Sequence, residues 1–256
     1  MIRPGAIGDC IVSLPAIDSI KADYKEVWTP SAVVPLVRRA DLVDPISRTG
    51  LDLLGLPSLA PPPALLERLR TFDRIVSWYG TNRPEFREAV ADLPFEFHAP
   101  LPEGAAAIHA TDFFLGQLGL PAGAAPSIPL EPAPRCEHIV IHPFSGSPRK
   151  NWPMENFRAL ATGLPLAEWC AGPEEPLDGA RRFDNLLDLA RWLASARLYI
   201  GNDSGISHLA AAVGTPVIAI FGPTDPRVWA PRGPRVTVLQ SPSPDDVRNA
   251  TIAMLQ

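Results

Sequence analysis

The sequence lacks the features that mark secreted, membrane-spanning or disulfide-rich proteins. It contains three cysteines without a C-x-x-C spacing, a pattern that favours free thiols over a disulfide framework or a structural zinc site. No apolar run reaches the roughly 18 residues that a membrane-spanning helix needs. Gly5, Gly8 and Asp9 interrupt the stretch where a signal peptide carries its apolar segment. These features predict a cytoplasmic protein.

Positive charge is also scarce. The formal net charge is -5, and no run of five basic residues is present. The sequence therefore lacks the electrostatic signature of a nucleic-acid-binding protein, and we expect at most peripheral contact with a membrane. Only three of the 23 basic residues are lysines, which draws attention to Lys150.

The rest of the composition is that of an ordinary globular protein. The chain has 256 residues, of which 46% are hydrophobic and 20% charged, and this length allows one large domain or two of about 125 residues. Strand-like and helix-like segments alternate, which predicts an α/β fold with parallel sheets covered by helices. The segment 121–134 is rich in proline, alanine and glycine, as interdomain linkers often are. We predict an N-terminal domain over 1–125, a linker over 126–134 and a C-terminal domain over 135–256.

Within the N-terminal half, short apolar runs predict strands at 1–3, 27–28 and 74–78, and periodic segments predict helices over 31–40, 64–70, 84–91 and 106–118. Gly5 and Gly8 follow the first strand, but they are too sparse for a dinucleotide-binding fingerprint. The aromatic loop 78–83 follows a predicted strand, where ligands bind in open α/β sheets. We prefer to interpret its aromatics as core and Arg83 as solvated, with acceptor contacts as the alternative.

A first anion site is predicted where a strand ends near Asp203 and a helix begins. Ser204 stands at the N-cap position, Gly205 opens the helix, and Gly214 ends it. Free N–H groups at such a helix start suit a phosphate or pyrophosphate. The alternative is that Asp203 and Ser204 only cap the helix.

A second anion site is predicted in the loop after the strand 137–142. Ser145 and Gly146 offer small side chains and approachable N–H groups, and Lys150 adds a full positive charge. This combination is typical of a phosphate cradle, although a solvated lysine is the alternative. His138 and His142 do not predict zinc, because the segment between them is strand-like and no third ligand is near.

Three motifs together resemble those of the glycosyltransferase family that contains the bacterial lipopolysaccharide heptosyltransferases. They are RPGAIGDCIVSLPAI from Arg3, HPFSGSPRKNWP from His142 and NDSGISHLAAAVGTPVIAIFGPTDP from Asn202. The resemblance implies a GT-B fold, in which two Rossmann-like domains face a cleft. It also implies an inverting, metal-independent glycosyltransferase without a cofactor. The implied substrates are an ADP-activated, heptose-like sugar donor and a lipopolysaccharide-type or other glycan or glycolipid acceptor.

The same resemblance assigns roles to residues that match the motifs. It makes Asp9 the catalytic base, since sugar transfer needs a carboxylate to accept the proton of the acceptor hydroxyl; a helix cap is the alternative. It indicates Glu174 for the ribose, with Glu175 as a neighbour able to serve instead and solvation of both as the alternative. His208 belongs to the donor site or to the core. The full donor-binding set is Gly8, Ser145, Gly146, Lys150, Glu174, Asp203, Ser204, Gly205 and His208.

Two departures from the family pattern and three rival functions remain. The first strand is only three residues long, which suggests a misassigned start or a frayed edge that would loosen the loop before Asp9. The chain is also shorter than is usual for the family, so acceptor recognition is the least defined property.

A non-catalytic sugar-nucleotide binder would not need Asp9, an epimerase would need more acid and base residues, and a nicotinamide oxidoreductase would need a fuller glycine fingerprint. We expect a cytoplasmic enzyme, either free or at the inner face of the membrane.

Overall fold

The computed structural model describes residues 1–56, 62–102, 107–132 and 134–256. The helices are α1 (Ile7–Ser19), α2 (Pro63–Arg70), α3 (Pro84–Ala89), α4 (Ala110–Gln117), α5 (Met154–Thr162), α6 (Leu186–Ser195), α7 (Gly205–Ala212), α8 (Pro226–Trp229) and α9 (Pro244–Leu255). The strands are β1 (Glu26–Thr29), β2 (Leu42–Pro45), β3 (Ile75–Ser77), β4 (Phe95–Phe97), β5 (Ile139–His142), β6 (Ala167–Trp169), β7 (Leu198–Asn202), β8 (Val217–Phe221) and β9 (Val236–Gln240). None of the helices described is long and apolar enough to cross a membrane.

In the first half, Ile2 joins two pairs of strands into one parallel sheet. β1 pairs with β2, and β3 pairs with β4. Ile2 forms parallel bridges to Trp28 in β1 and to Ser77 in β3, which gives the order β2-β1-Ile2-β3-β4. The predicted first strand is therefore a single bridged residue at the centre of the sheet. The expectation of a frayed edge is wrong, because Ile2 is held on both sides.

The second half contains a five-stranded parallel sheet in the order β6-β5-β7-β8-β9. Its central strands β7 and β8 are buried along their whole length, as expected when helices cover both faces of a parallel sheet. The chain runs from β5 to β6 on one side and then returns to β7 on the other side of β5. The direction of the connections thus changes between β5 and β7, and ligands bind at such a switch point, beyond the carboxyl ends of the strands.

The two halves share a continuous apolar core. Buried side chains of α1, α4 and α7 belong to one cluster, so the first helix of the N-terminal half packs against the helix that follows β7. Ile128, inside the predicted linker, is buried, and its N–H donates to the carbonyl oxygen of Ala212. Residue 133 of that linker lies outside the described residues. The two α/β units facing a cleft are confirmed, while the boundaries at 125 and 135 stay predictions.

Several local predictions for the first half were wrong. The helix expected over 31–40 is only a short 3-10 turn at Val34–Leu36, because Pro35 lacks an N–H and the neighbouring valines disfavour helix. The strands β2 and β4 were missed, since each is only three or four residues long. The helix expected over 106–118 begins at Ala110, and its predicted first residue lies outside the described ranges.

Candidate active site

The loops at the switch point line two adjoining cavities. One, here called the polar cavity, has a volume of about 200 Å³ and is lined by Ala6, Gly8, Asp9, Gly146, Lys150, Asp203, Ser204, Gly205, His208, Thr224 and Trp229. The other, here called the apolar cavity, has a volume of about 300 Å³. It shares the residues Ala6, Gly8, Gly146, Ser204 and Gly205 with the first and continues along β6 and α6. Eight of the ten predicted site residues therefore meet in the polar cavity, and Ser145 lines the apolar one.

Lys150 and Asp203 supply the charges in the polar cavity. The Lys150 Nζ lies 2.8 Å from Oδ2 of Asp203. This distance is that of an ion pair, but the angles are not those of a hydrogen bond, so Oδ2 has no hydrogen-bond partner among the described residues. The Asp203 side chain is nearly buried, whereas the Lys150 side chain is 35% exposed. The lysine therefore carries its charge at the cavity surface, with the aspartate behind it.

Asn202 holds the loop that carries Lys150. Its Oδ1 accepts a hydrogen bond from the N–H of Trp152 at 2.9 Å, and its Nδ2 donates to the carbonyl oxygen of Pro143 at 2.7 Å. One buried amide thus ties both ends of the loop to the last residue of β7. Within the loop, the Ser145 hydroxyl lies 2.7 Å from the carbonyl oxygen of Ser147. Ser145 therefore shapes the cradle, and no local sequence pattern predicts that Asn202 anchors it.

Asp9 is the third residue of α1 and serves two purposes at once. Its Oδ2 accepts a hydrogen bond from the N–H of Ala6 at 3.1 Å, so the helix-capping interpretation holds. The carboxylate also lines the polar cavity with Lys150, and its second oxygen remains to accept a proton. Gly5 adopts φ of +124°, and a Cβ atom there would lie 3.1 Å from the Cβ of Asp9. The loop before the helix is thus shaped around this side chain.

The N-terminal ends of α1 and α7 meet between the two halves. A Cβ atom on Gly205 would lie 2.9 Å from the Cβ of Ile7, and one on Gly8 would lie 3.3 Å from Cδ2 of His208. Gly205 is therefore needed for the close contact of the helices, and a side chain at Gly8 would crowd the His208 ring. Each helix start carries about half a positive charge and unpaired N–H groups. Two such starts beside Lys150 make this point of the cleft attractive to an anion.

The first turn of α7 contains both a cap and a buried histidine. The Ser204 Oγ accepts from the N–H of Ser207 at 3.4 Å, which is the capping role that the sequence left open. His208 is buried yet lines the polar cavity. Burial lowers the pKa of His208 to about 4, and the nearby Asp203 only partly offsets this effect. The imidazole is therefore neutral at physiological pH.

Glu175, and not Glu174, faces the apolar cavity. Glu174 is exposed and lines neither cavity, whereas Glu175 lines the apolar one. The Glu175 Oε2 accepts from the N–H of Gly172 at 2.5 Å and lies 3.2 Å from Nε2 of His142. Burial alone would raise the pKa of Glu175, but these hydrogen bonds outweigh it and lower the pKa. The structure thus favours the neighbour that the sequence left as the alternative.

The remaining walls of the apolar cavity come from the end of β6, the start of α6 and the first turns of α1 and α7. Its apolar side chains are Ile7, Cys170, Ala171, Pro173, Phe183, Leu186, Leu189 and Ile206. Burial raises the pKa of the Cys170 thiol to about 12, so this cysteine is an apolar wall and not a nucleophile. Asn185 adds a polar group at the start of α6. Sequence reasoning missed this wall, because its residues are scattered over four segments with no shared motif.

Contacts between the two halves border the polar cavity. Arg232 forms a bidentate ion pair with Asp112 in α4, with Nη1 2.7 Å from Oδ1 and Nη2 2.6 Å from Oδ2. In the same region the Nε2 of His109 lies 2.8 Å from the carbonyl oxygen of Ala230, next to the cavity residue Trp229. Within the described ranges, no group of three or more His, Cys, Asp or Glu side chains is arranged to hold a metal ion.

The model of glycosyltransferase family 9 (heptosyltransferase) matches residues 184–251 of this chain, a range that includes Asp203, Ser204 and His208. Lipopolysaccharide heptosyltransferase 3 of Escherichia coli K12 is 42% identical over 114 residues, which are 37% of this chain and 33% of that protein. Other curated heptosyltransferases align in the same way, so the chain spans about a third of their length: 33% for that of Haemophilus influenzae and 29% for that of Salmonella typhimurium.

Solved structures extend the similarity to the whole fold. The E. coli heptosyltransferase WaaC with ADP superposes with a TM-score of 0.70 at 18% identity, covering 99% of this chain and 98% of that one. The E. coli ADP-heptose lps heptosyltransferase II gives a TM-score of 0.75 at 16% identity, covering 99% and 97%. The chain is a glycosyltransferase family 9 (heptosyltransferase)-like protein. The resemblance that the three motifs indicated is thus confirmed, and so is the GT-B architecture of this heptosyltransferase-like chain.

Proposed function

We propose that this heptosyltransferase-like chain transfers a heptose-like sugar from an ADP-activated donor to a lipopolysaccharide-type or other glycan acceptor, with inversion at the anomeric carbon. The observation that carries the proposal is the polar cavity, in which Asp9 from the first half and Lys150 and Ser204 from the second line one space. A carboxylate and an anion-binding cradle are the two groups that sugar transfer from a nucleotide donor needs on opposite sides of the anomeric carbon.

The donor diphosphate binds at the meeting point of Lys150 and the starts of α1 and α7. Each helix start stabilises an anion by about 0.3 to 1 kcal/mol. A fixed cation opposite the charge that develops on the leaving diphosphate contributes about 3 to 4 kcal/mol to the transition state, so Lys150 is the larger contributor. In this proposal, Lys150 and the helix starts supply the positive charge, and the reaction proceeds without a metal or cofactor.

The nucleoside occupies the apolar cavity next to the diphosphate. Its apolar walls suit the faces of a planar base, and Glu175 suits the ribose, because an ionised carboxylate accepts hydrogen bonds from two hydroxyls. Since the Glu175 Oε2 already accepts two hydrogen bonds, Oε1 is the oxygen that meets the ribose. The related WaaC enzyme was solved with ADP, which supports adenine as the base.

Transfer follows as a single displacement. The acceptor oxygen attacks the anomeric carbon on the face opposite the diphosphate, its proton passes to Asp9, and the bond from the anomeric carbon to the diphosphate oxygen breaks to release ADP. The configuration inverts, because the base and the diphosphate lie on opposite faces. A positioned base of this kind contributes about 10² to 10⁴ in rate.

The N-terminal unit, residues 1–125, binds the acceptor and supplies the base, and the C-terminal unit, residues 135–256, binds the donor. The acceptor reaches Asp9 from the carboxyl ends of the first sheet, where Tyr79 and Arg83 lie. Trp78 is buried in the core, which agrees with the preferred interpretation of the aromatic residues in this loop. Arg83 donates a hydrogen bond to the Tyr79 hydroxyl at 2.6 Å. With a glycolipid acceptor, the enzyme would act at the cytoplasmic face of the membrane in lipopolysaccharide synthesis.

A thermal-shift series with ADP, UDP, GDP and NAD tests the proposal. A ligand at 100 times its Kd stabilises the native state by about 2.7 kcal/mol, and we expect ADP to give the largest shift. Transfer of sugar from an ADP-heptose to a glycan acceptor, followed by ADP release, should then be measurable. A preferential response to NAD would overturn the proposal in favour of an oxidoreductase.

A further inference from the structure

Arg3 is a buried cation whose hydrogen-bond partners, within the part of the chain that the structure describes, are all neutral. Its side chain is only 1% exposed. Nε donates to the Ser13 hydroxyl at 3.0 Å, Nη2 to the carbonyl oxygen of Asp9 at 2.8 Å, and Nη1 to the carbonyl oxygen of Pro100 at 3.2 Å. The guanidinium carbon also lies 4.4 Å from the centre of the Phe114 ring. The charge is therefore enclosed by dipoles and an aromatic face.

Burying the Arg3 charge in this way costs free energy of folding. Removing a cation from water without a carboxylate partner is unfavourable, and an apolar side chain of similar size is often more stabilising in such a place. Burial accordingly lowers the pKa of Arg3, although a guanidinium remains charged at any physiological pH. Packing alone therefore does not explain an arginine at this position.

The geometry connects Arg3 to the proposed base. Arg3 follows Ile2 at the centre of the first sheet, and two of its three acceptors, Asp9 O and Ser13 Oγ, lie one turn apart on α1. The third belongs to Pro100 in the loop after β4. A planar guanidinium holds all three acceptors in fixed directions. The first turn of α1, which carries the Asp9 carboxylate into the polar cavity, is thereby fixed to the sheet.

We propose that Arg3 is a positioning residue, which holds the first turn of α1 so that the Asp9 carboxylate meets the acceptor hydroxyl. This inference rests on the proposed glycosyltransferase function. A lysine at position 3 would keep the charge, but its compact ammonium cannot reproduce the three directions of the fork. The exchange of Arg3 for lysine therefore isolates geometry from charge.

The test compares Arg3→Lys with Arg68→Lys in sugar transfer. Arg68 is a suitable control, because it also joins several elements of the first half, through Asp44 and Glu26, and lies over the Trp28 ring, but lines neither cavity. A displacement of about 1 Å in a reacting group costs on the order of 100-fold in rate. We expect Arg3→Lys to lower kcat by about 10- to 100-fold with the donor KM and ADP affinity within about twofold of wild type. Arg68→Lys should lower Tm and leave kcat within about twofold.

A second pair of variants covers the case in which Arg3→Lys does not fold. Ser13→Ala removes one acceptor of Arg3, and Ser19→Ala removes a hydroxyl that donates to the carbonyl oxygen of Pro15 near the other end of the same helix. Loss of one hydrogen bond corresponds to about 2- to 10-fold, so we expect Ser13→Ala to lower kcat by that factor and Ser19→Ala to leave it unchanged.

The outcomes separate the two proposals. A wild-type protein that transfers sugar while folded Arg3→Lys or Ser13→Ala keeps full kcat would overturn the role of Arg3 alone. A loss of donor affinity equal to the loss of kcat would also overturn it, since Arg3 would then act on the donor site. If the wild-type protein neither binds ADP nor transfers sugar, the proposed function falls, and the role of Arg3 falls with it.

Discussion

The Lys150 ammonium and the Asp203 carboxylate form an ion pair inside the cleft, with Nζ 2.8 Å from Oδ2. The lysine that we assign to the donor diphosphate thus already has an anionic partner. Asp203 holds the Lys150 ammonium at the cavity, and Lys150 offsets the free-energy cost of burying the Asp203 charge. Each residue therefore affects both stability and donor binding. A double-mutant cycle separates these effects.

We predict that Lys150→Met weakens ADP binding by about 10- to 100-fold, because a charge-assisted hydrogen bond to the diphosphate is lost. The same change leaves the Asp203 charge buried without its partner and lowers the free energy of unfolding by about 1 to 3 kcal/mol. The double variant Lys150→Met, Asp203→Asn should recover the stability but not the ADP affinity. Calorimetric titration and urea denaturation measure the two quantities.

Arg149 provides the matched control for this cycle. It precedes Lys150 in the same loop but is exposed and lines neither cavity. Arg149→Met should therefore change ADP affinity by less than about threefold, as a surface substitution does. Equal losses in Arg149→Met and Lys150→Met would mean that the loop attracts ADP only through its general charge, and would remove Lys150 from the diphosphate site.

Asp9→Asn tests the base without disturbing the helix. Asparagine has nearly the same shape and can still accept the hydrogen bond from the Ala6 N–H, so α1 should keep its start. It cannot accept a proton, and we expect sugar transfer to fall by about 10² to 10⁴ while ADP binding and Tm stay close to wild type. Retention of wild-type turnover in a correctly folded Asp9→Asn variant would exclude Asp9 as the base.

Glu174 and Glu175 form a natural pair for testing the ribose contact. Glu175→Gln should weaken ADP binding by about 10-fold, since a charged acceptor of hydroxyl hydrogen bonds becomes neutral. Glu174→Gln should have no measurable effect. Pyrophosphate, which has no ribose, should bind both variants as it binds wild type. If pyrophosphate and ADP lose affinity equally in Glu175→Gln, the residue acts on the diphosphate or on the fold.

The sequence predicted the second half of the chain better than the first, and the reason is physical. The strands around 139, 200 and 219 are continuous apolar runs, and the helix after Ser204 has a cap and a terminating glycine, so local signals and tertiary structure agree. In the first half, Leu42–Pro45 and Phe95–Phe97 are too short to show a period, and Pro35 interrupts an apparently helical pattern.

A similar division applies to the site. Asp9, Lys150 and Ser204 were predicted as site residues because each lies in a motif with a recognisable local role, and all three line the polar cavity. Asn202 and Arg3 were not, because their contacts depend on which backbone and hydroxyl groups the fold brings near them. The choice between Glu174 and Glu175 depended on the direction of one turn, which neighbouring residues of the same type do not reveal.

The ion pair between Asp112 and Arg232 should stabilise the contact of the two halves. The hydrogen bonds from Arg232 lower the pKa of Asp112 from 3.8 to about 2, so its contribution is present above pH 3.8 and is lost as the pH falls towards 2. We predict that Arg232→Ala lowers the free energy of unfolding by about 1 kcal/mol at pH 7, at the upper end for a partly exposed pair, with a smaller difference near pH 2.5.

Arg227 offers the comparison for Arg232, because it pairs with Asp225 on the exposed surface and within one half of the chain. Arg227→Ala should not change the stability measurably. Urea denaturation at several pH values would decide the question. A similar loss in both variants would show that the loop around residue 230 needs arginine side chains in general, and that the contact with α4 is unimportant.

His208 should make the stability of the protein depend on pH in a defined range. Burial lowers its pKa from 6.5 to about 4 in the native state. Below pH 6.5 the unfolded chain binds a proton at this imidazole and the native protein does not, so unfolding becomes more favourable as the pH falls, until the native histidine also titrates near pH 4. The stabilising contribution is therefore complete above pH 6.5 and lost by about pH 4.

Such a pKa difference corresponds to about 3 kcal/mol. We predict that the free energy of unfolding of His208→Asn falls less steeply than that of wild type between pH 6.5 and 4, with the two curves converging by up to this amount. Urea denaturation at pH 7, 5.5 and 4.5 measures the difference, and the carboxylates common to both proteins cancel in it. Parallel curves would mean that His208 is solvated and titrates normally. Below pH 6.5 the polar cavity would then hold a charged imidazolium beside Lys150, as a second cation facing the donor diphosphate.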